Sequence, residues 1–363
     1  MDLKFIPLHP QVHLQFQPRN IMKFQDVDIF GTLNMTGSFQ IPYGYGTGSY
    51  PQTPLSGSLF LDTETNTVIV ANTNGWETVG AQTTPEPYNI EYLVVAGGGA
   101  SNRYNGGGAG AGGLRTSYGS TSGGGASAES SLSLTPFKVY TITVGAGGTQ
   151  DDASAPTATN DGNDSSIAGT DITTITSVGG GAAGVRTGDA SGAARDGGSG
   201  GGGGSYSSGG YLAGSGTSGQ GFNGANGVDG GAYQGGGGGG ASAAGTVPNG
   251  GAGLEVNIIG GTGNYYAGGG GAGANSSPGS GGSGGGGAGT SSYTMNNGTV
   301  NTGGGGGGGA MSGTISGGNG GSGVVILRMA TSNYTGTTTG SPTVTTSGGD
   351  TILTYTASGT YTA

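Results

Sequence analysis

Apolar positions gather in short stretches of strand length, separated by polar and glycine-rich segments. Eight such stretches carry β-branched or aromatic residues: Ser58–Leu61, Thr67–Ala71, Trp76–Val79, Ile90–Val95, Phe137–Val144, Ile172–Ser177, Val324–Met329 and Thr351–Thr356. In the fifth stretch, Tyr140, Ile142 and Val144 share one face because side chains alternate along a strand. We expect that face to cover a core. The pattern predicts an all-β fold with essentially no α-helix.

Glycine changes this picture after the first quarter of the chain. The chain of 363 residues has 94 glycines, of which only 8 fall in residues 1–87. The shift lies near Pro85–Pro87 and predicts two domains, an N-terminal β region (1–87) and a glycine-rich domain (88–363). Strands on both sides of the richest stretch predict a β base (88–178 and 324–363) with one large insertion (179–323). In the first domain, the pattern of Phe30–Phe39 predicts extended segments interrupted by turns at glycine.

Uninterrupted glycine runs such as Gly200–Gly204, Gly235–Gly240 and Gly303–Gly309 allow two interpretations. They are flexible linkers, or their bare backbones pack side by side as polyglycine II-type helices. A structureless insertion of more than a hundred residues is rare in a compact domain, and linkers seldom contain apolar clusters such as 254–259. Packed runs make no internal hydrogen bonds, so their N–H and C=O groups must bond to neighbouring runs. We favour a bundle of packed runs joined by loops.

Composition excludes several classes of protein. Collagen needs glycine at every third residue and abundant proline, whereas this chain has 13 prolines and consecutive glycines. There is no cysteine, so disulfides and cysteine metal sites are impossible. No apolar run is long enough to span a bilayer, and the first ten residues lack the layout of a secretion signal. Only 8% of residues are charged and the net charge is −10, which argues against nucleic-acid binding.

Several segments resemble the glycine-rich domains of bacteriophage tail-fibre and adhesin proteins. The segments that carry the resemblance are Tyr92–Gly99, Tyr140–Gly148, Gly320–Arg328, Gly340–Gly349 and Thr356–Tyr361. Upstream, Gly57–Asn66 followed by Asn74-Gly-Trp76 is similar to short β modules of phage fibres. Together these segments span about residues 57–363. Unlike the adhesins of T-even-like phages, this chain carries its own N-terminal β region.

The resemblance implies a non-enzymatic adhesin in the virion, at the tail fibre or tail tip. Stacked polyglycine helices would form a rigid platform, and the loops between them would contact a host cell-surface receptor, either a glycan or an outer-membrane protein. The partners implied are that receptor and other phage tail proteins, with no nucleic acid, no membrane insertion and no cofactor. Residues 1–87 would attach and oligomerise. The core of these residues is too small to be stable alone, and phage fibres commonly complete such β modules by threefold association. We therefore predict a homotrimer.

Tyrosines are the preferred candidates for receptor binding, because an aromatic ring with a hydroxyl suits both sugar rings and protein surfaces. The candidates are the aromatic residues that fall between glycine runs, where side chains are scarce: Tyr206, Tyr211, Phe222, Tyr233, Tyr265, Tyr266 and Tyr293. The alternative is that these side chains cap the ends of the glycine bundle. For any one of them the two roles are about equally supported.

Other candidate chemistry is sparse. The only histidines, His9 and His13, lie in the N-terminal segment, and the many GxGxxG matches are chance in this glycine background. The acidic residues Asp151, Asp152, Asp161 and Asp164 could bind calcium, but their spacing matches no loop motif and a solvated turn is favoured. No metal site and no catalytic residue is therefore predicted. The main alternative function is a self-assembling extracellular structural or ice-binding protein, followed by a polysaccharide depolymerase.

Overall fold

The chain divides into two compact units, Met1–Thr84 and Pro85–Ala363. The computed structural model describes residues 43–44, 59–62, 67–72, 75–81, 86–101, 106–150, 160–185, 192–206, 209–228, 234–274, 276–292, 294–309 and 317–363. The predicted segment 30–39 and both histidines lie outside the described residues. In the described part the only helices are single 3-10 turns at Gly123–Gly125 and Thr331–Asn333. The predicted all-β fold without α-helix is confirmed.

The first unit contains a four-stranded sheet in the order β1-β2-β3-β4. Its strands are β1 (Tyr43–Gly44), β2 (Leu59–Asp62), β3 (Thr67–Asn72) and β4 (Gly75–Ala81). β1 and β2 are parallel, and the other pairs are antiparallel. Ile69 and Ala71 on β3 are buried, so the three strands predicted here form around a small apolar centre.

The second unit is built on two antiparallel sheets. The larger has the order β16-β17-β15-β5-β6, with β7 also paired to β5, and the smaller has the order β10-β9-β8-β18. The strands of the larger sheet are β5 (Tyr88–Val95), β6 (Leu114–Thr116), β7 (Leu132–Leu134), β15 (Val324–Ala330), β16 (Thr343–Ser347) and β17 (Asp350–Tyr355). Those of the smaller sheet are β8 (Val139–Thr143), β9 (Ser165–Ala168), β10 (Ile175–Ser177) and β18 (Gly359–Thr362). Two minor pairs of two-residue strands complete the set: β11 (Ser205–Tyr206) with β12 (Gly209–Gly210), and β13 (Leu254–Glu255) with β14 (Tyr265–Tyr266).

A core of alternating side chains lies between the two sheets. Tyr92 and Leu327 from the larger sheet meet Tyr140 and Ile142 from the smaller one, and all four are buried. Val144 packs against the same cluster, which confirms the face predicted from the alternation of residues 140–144. The opposite face of the larger sheet carries a second core, in which Leu93 and Ile326 pack with residues from segment 254–267.

The glycine runs form a lattice in which hydrogen bonds repeat every three residues. In run 106–113, three successive N–H groups donate to three different neighbouring runs. The fourth N–H group donates to the same run as the first. The acceptors lie in runs 178–185, 235–241 and 303–309. For example, Gly107 and Gly110 both donate to run 178–185, at 3.0 and 2.9 Å. This period of three is that of a polyglycine II-type helix, so packed runs are the correct interpretation.

The same run also accepts hydrogen bonds from three further neighbours. These donors lie in runs 96–101, 199–204 and 267–274. Run 106–113 is thus surrounded by six others, whose backbones satisfy most of its N–H and C=O groups. The Gly107 carbonyl instead accepts a hydrogen bond from the Ser101 hydroxyl at 2.6 Å. Alanines fit at some positions, since Ala109 and Ala111 are completely buried. The lattice is not confined to 179–323, because runs 96–101, 106–113, 145–150 and 160–164 belong to it as well.

Glycine is required in these runs by close approach of the backbones. A Cβ atom added at Gly108 or Gly306 would lie closer than 3.0 Å to the carbonyl group of Gly270 or Gly318, respectively. Real Cβ atoms essentially never approach another atom so closely. Most glycines of the lattice meet the backbone of a neighbouring run in the same way. The sequence is therefore glycine-rich because the axes of the runs are too close for side chains.

The lattice has two distinct ends. Six runs join strands of the two sheets directly: 96–101 follows β5, 106–113 precedes β6, 145–150 follows β8, 160–164 precedes β9, 178–185 follows β10 and 317–323 precedes β15. We call the end at these strands the proximal end and the opposite end the distal end. Runs that follow one another alternate in direction, as where Ala96 donates to Gly113 and Gly99 to Gly110. Connecting segments therefore fall alternately at the two ends.

Candidate binding surface at the distal end

The seven predicted aromatic residues do not lie on one surface. Tyr206 is in β11 and Tyr211 begins run 211–216, both at the distal end, where Tyr211 is half-buried. Tyr233 and Tyr293 lie outside the described residues. The other three, Phe222, Tyr265 and Tyr266, are proximal.

The proximal aromatics differ in exposure because neighbouring strand residues face opposite ways. In β14, Tyr265 is 42% exposed whereas Tyr266 is 8% exposed and packs in the second core beside Val256 and Ile258. The Glu255 carboxylate accepts a hydrogen bond from the Tyr265 hydroxyl and raises its pKa. Phe222 is half-buried at the start of run 221–227. Tyr266 therefore has the role of a core residue.

Three exposed side chains and a half-buried one lie at the distal end, and we call Tyr211, Leu212, Asn226 and Val228 the distal patch. Leu212 is 68% exposed and Val228 is 38% exposed. Their backbones are held together, since the Gly227 N–H donates to the Tyr211 carbonyl at 3.1 Å and the Ala213 N–H to the Asn226 side chain at 2.8 Å. Met295, 52% exposed, is a further apolar side chain at this end. The patch combines apolar surface, an aromatic ring and an amide on a fixed backbone.

Sequence reasoning did not single out Leu212, Val228 and Met295, because it favoured the aromatic rings of the segments that contain them. The signal that could have found them was available. A large aliphatic residue beside a glycine run has no cavity in the lattice to enter, because most glycine positions leave no room even for a Cβ atom. Such a residue must lie at an end or a side of the bundle, where it either packs in a core, as Leu114 does, or marks the exposed surface.

Acidic and amide side chains terminate the edges of the lattice. Asp161 accepts the Ala182 N–H at 2.9 Å and is paired with Arg195 at 2.7 Å, and Asp164 accepts the Gly179 N–H at 2.8 Å. Each carboxylate oxygen stands where the carbonyl of a further run would otherwise lie. Asp151 and Asp152 are outside the described residues. Among the residues described, no group of three or more histidine, aspartate or glutamate side chains could hold a metal ion.

Asparagine and glutamine side chains act in the same way at other edges. Each accepts a hydrogen bond from a backbone N–H group. The pairs are Gly216 with Asn223, Ser280 with Asn249, Asn319 with Asn297, Gln150 with Asn319, and Val178 with Gln220, at 2.8 to 2.9 Å. The lattice thus ends in side-chain oxygens, which keeps its outer backbone groups satisfied.

A charged network ties the segment after β6 to the larger sheet. Arg115 donates two hydrogen bonds of 2.7 Å to Glu129, and the Tyr92 hydroxyl donates another at 2.7 Å. Burial raises the pKa of the Glu129 carboxyl, but the hydrogen bonds from Arg115 and Tyr92 outweigh it and hold that pKa below its ordinary value of 4.5. Burial, with the same carboxylate, raises the pKa of Tyr92. The network lies beside the sheet and away from the distal patch.

The repeating lattice agrees with a comparison against protein families. The model of the family described as a glycine-rich domain matches residues 77–330, which is most of the chain. The chain belongs to the glycine-rich domain family. The matched region includes β5, β15 and all the runs between them. No curated protein and no solved structure matches the chain. Across the described residues, no helix is both long and apolar enough to cross a membrane.

Proposed function

We propose that this glycine-rich domain protein is a phage tail-fibre or tail-tip adhesin, a non-enzymatic component of the virion that attaches it to a receptor on the bacterial surface. The observation that carries the proposal is that the second unit has two different ends. The chain enters that unit at the remote end of the sheets, through Pro87 and Tyr88, and the runs extend from the other end of the sheets. The distal patch therefore lies at the end of the second unit opposite the point of entry.

The lattice suits this role because it is rigid and offers almost no side chains. A run such as Gly303–Gly309 spans about 20 Å at roughly 3.1 Å per residue, and its backbone is bonded to neighbours on several sides. Specific recognition by such a structure must use the segments that connect the runs. A rigid support lowers the entropy lost when those segments bind.

We narrow the receptor-binding residues to the distal ones. These are Tyr206 and Tyr211 from the aromatic set, joined by Leu212, Val228 and Met295. Tyr233 and Tyr293 stay candidates from the sequence alone. Apolar side chains beside a tyrosine and an amide suit a glycan or an outer-membrane protein on the host. The first unit would attach the domain to other tail proteins and form the homotrimer. Sedimentation of the full chain as a monomer at micromolar concentration would contradict the trimer.

Adsorption of purified, labelled protein to a panel of bacteria tests the function. Once a bacterium that binds the protein is found, Tyr211→Ala and Leu212→Ser should each weaken adsorption by about tenfold, since a contact residue of this kind contributes more than about 1 kcal/mol. The matched control for the tyrosine is Tyr265→Ala, which removes an exposed ring at the proximal end. Val344→Ser, at an exposed position on β16, controls for the leucine.

The outcomes of these experiments distinguish an error in the proposed function from an error in the proposed binding site. Failure to adsorb to any bacterium, with the protein folded, would count against an adhesin. Adsorption that is lost in the Tyr265→Ala variant and kept in the Tyr211→Ala variant would move the binding surface to the proximal end. Release of sugar from the bacterial envelope would contradict a non-enzymatic role.

A further inference from the structure

A polar cleft lies on the larger sheet, at the end remote from the lattice. Its volume is about 410 Å³, within the range of about 300–1,000 Å³ that small-molecule sites occupy. Six residues supply the side chains that matter for binding: Asn89, Glu91, Tyr118, Ser131, Arg328 and Asp350. None of them belongs to the distal patch. We infer that this cleft binds a neutral saccharide of one or two sugar rings.

The cleft is built around a fixed guanidinium group. Arg328, on β15, pairs with Asp350 at 2.8 Å and donates to the Ile258 carbonyl at 2.9 Å. Its guanidinium also lies over the Tyr118 ring, 5.3 Å from the ring centroid. Three contacts on different sides hold the group in one orientation. The Arg328 side chain is only 16% exposed, so it is held in place before any ligand binds.

Glu91 faces the same cleft from the neighbouring strand. It is the cross-strand partner of Arg328 in the antiparallel pair of β5 and β15, so the two side chains emerge on one face. Arg328 is nevertheless engaged by Asp350, while one oxygen of Glu91 accepts a hydrogen bond from the Ser117 hydroxyl. The described residues provide no hydrogen-bond donor for the other Glu91 oxygen, Oε1.

Further polar atoms in the cleft are also left for a ligand. In the described part of the chain, the Asn89 amide, the Ser131 hydroxyl, the Tyr118 hydroxyl and the Arg328 Nη2 take no part in the side-chain hydrogen bonds. The cleft thus offers both donors and acceptors, along with apolar surface from Ala330 and Tyr118. Adjacent hydroxyl groups of a sugar, which donate and accept at once, match such a mixed set.

Charge selects among polar ligands. The cleft holds two carboxylates, Glu91 and Asp350, against one guanidinium that is already paired. An anionic sugar or a phosphate would meet a net negative charge and no free cation, so it is disfavoured. An apolar ligand would leave the polar atoms unpaired, which costs free energy. A neutral saccharide satisfies the polar atoms without adding charge.

The test is titration of the full chain with neutral sugars, followed by ligand-observed NMR and calorimetry. The probes are glucose, galactose, mannose, N-acetylglucosamine and lactose, with galacturonate and glucosamine as the anionic and cationic counterparts. At least one neutral probe should bind at millimolar concentration. Glu91→Gln should weaken binding by about tenfold, because a hydrogen bond to a charged group becomes one to a neutral amide. It retains an acceptor for Ser117, so the melting temperature should not change.

Asp196→Asn is the matched control, since it removes one carboxylate at the lattice edge while keeping the oxygen that accepts the Ser215 N–H. It should leave sugar binding unchanged. The inference is overturned if no neutral probe binds, or if Glu91→Gln and Asp196→Asn weaken binding equally. Glucosamine binding more than tenfold tighter than glucose would overturn the assignment of a neutral ligand. The inference does not rest on the proposed adhesin, because Glu91→Gln should leave adsorption to bacteria intact.

Discussion

Replacement of Gly306 by alanine tests the packed lattice with the smallest change available. Gly306 lies in run 303–309, donates to the Gly99 carbonyl at 3.0 Å and accepts from the Ala109 N–H at 2.9 Å. The added methyl group would lie within 3.0 Å of the Gly318 carbonyl group in run 317–323. Run 317–323 must move away as a whole, because its backbone is held by hydrogen bonds and cannot shift at Gly318 alone. Valine at the same position requires a larger displacement.

The magnitude follows from the bonds between these two runs. Gly318 donates to Gly307 and Gly321 donates to Gly304, both at 2.8 Å. Loss of both hydrogen bonds costs about 2 kcal/mol at about 1 kcal/mol each, and the strain of overpacking adds about 1–3 kcal/mol. We expect Gly306→Ala to destabilise the domain by about 3–5 kcal/mol, which lowers the melting temperature by about 5–15 °C. A flexible linker predicts the opposite sign, since alanine restricts the unfolded chain and stabilises by about 0.4–1 kcal/mol.

Calorimetric melting of the full chain measures this difference. The matched control is Gly349→Ala, because Gly349 is exposed and a Cβ added there meets no atom within 4 Å. The control should change stability by less than about 0.5 kcal/mol. If Gly306→Ala melts at or above the temperature of the Gly349→Ala variant, the packed lattice is wrong.

Two further predictions concern the side chains that complete the fold. Asp161→Ala should lower the free energy of unfolding by about 1–3 kcal/mol, because the N–H of the fully buried Ala182 loses its acceptor. Asp161→Asn keeps that acceptor and should lower it less. Equal melting temperatures for both variants and the parent would refute this prediction. The lowered pKa of Glu129 means that its carboxylate stabilises the folded state above about pH 4.5 and that this contribution is lost as the pH falls through the folded-state pKa. Melting temperatures recorded from pH 7 to pH 3 should therefore fall less steeply for Glu129→Gln than for the parent, and parallel curves would contradict the assignment.

The strands could be predicted from the sequence because their signal is local. Val324–Met329 was predicted as a strand and β15 covers Val324–Ala330, since a run of β-branched residues fits a buried strand wherever it lies. β6, β7 and β9 were missed, and β16 was indicated only by the resemblance of its segment to a hairpin of phage-fibre domains. β16 is the sequence Thr343–Ser347, nearly all exposed, and it forms through pairing with β17, not through burial of its own side chains.

The lattice was predictable in kind but not in its boundaries. Alternation of glycine runs with apolar clusters indicated packing, and the three-residue repeat of hydrogen bonds confirms it. Short runs such as 96–101 gave no sign of membership, because a short run is held only by neighbours remote in sequence. Gly98, for example, donates to Gly321. Such pairing requires the tertiary structure.

The candidate site could be predicted only as a set of residue types. Aromatic residues between glycine runs were found, but the sequence did not show which end of the lattice each would occupy. The end depends on the direction of every preceding run, so one turn assigned wrongly exchanges proximal and distal positions. Tyr265 and Tyr266 show a second limit, since adjacent positions in β14 differ in burial.

Hydroxyl-radical footprinting of the protein bound to host cells tests the central claim, that the distal end of the lattice contacts the host. Leu212 and Met295 are exposed distal residues, whereas Phe137, 79% exposed, lies at the remote end of the sheets. On binding, oxidation of Leu212 and Met295 should fall several-fold while oxidation of Phe137 stays constant. Protection of Phe137 with unchanged oxidation of Leu212 and Met295 would contradict the account.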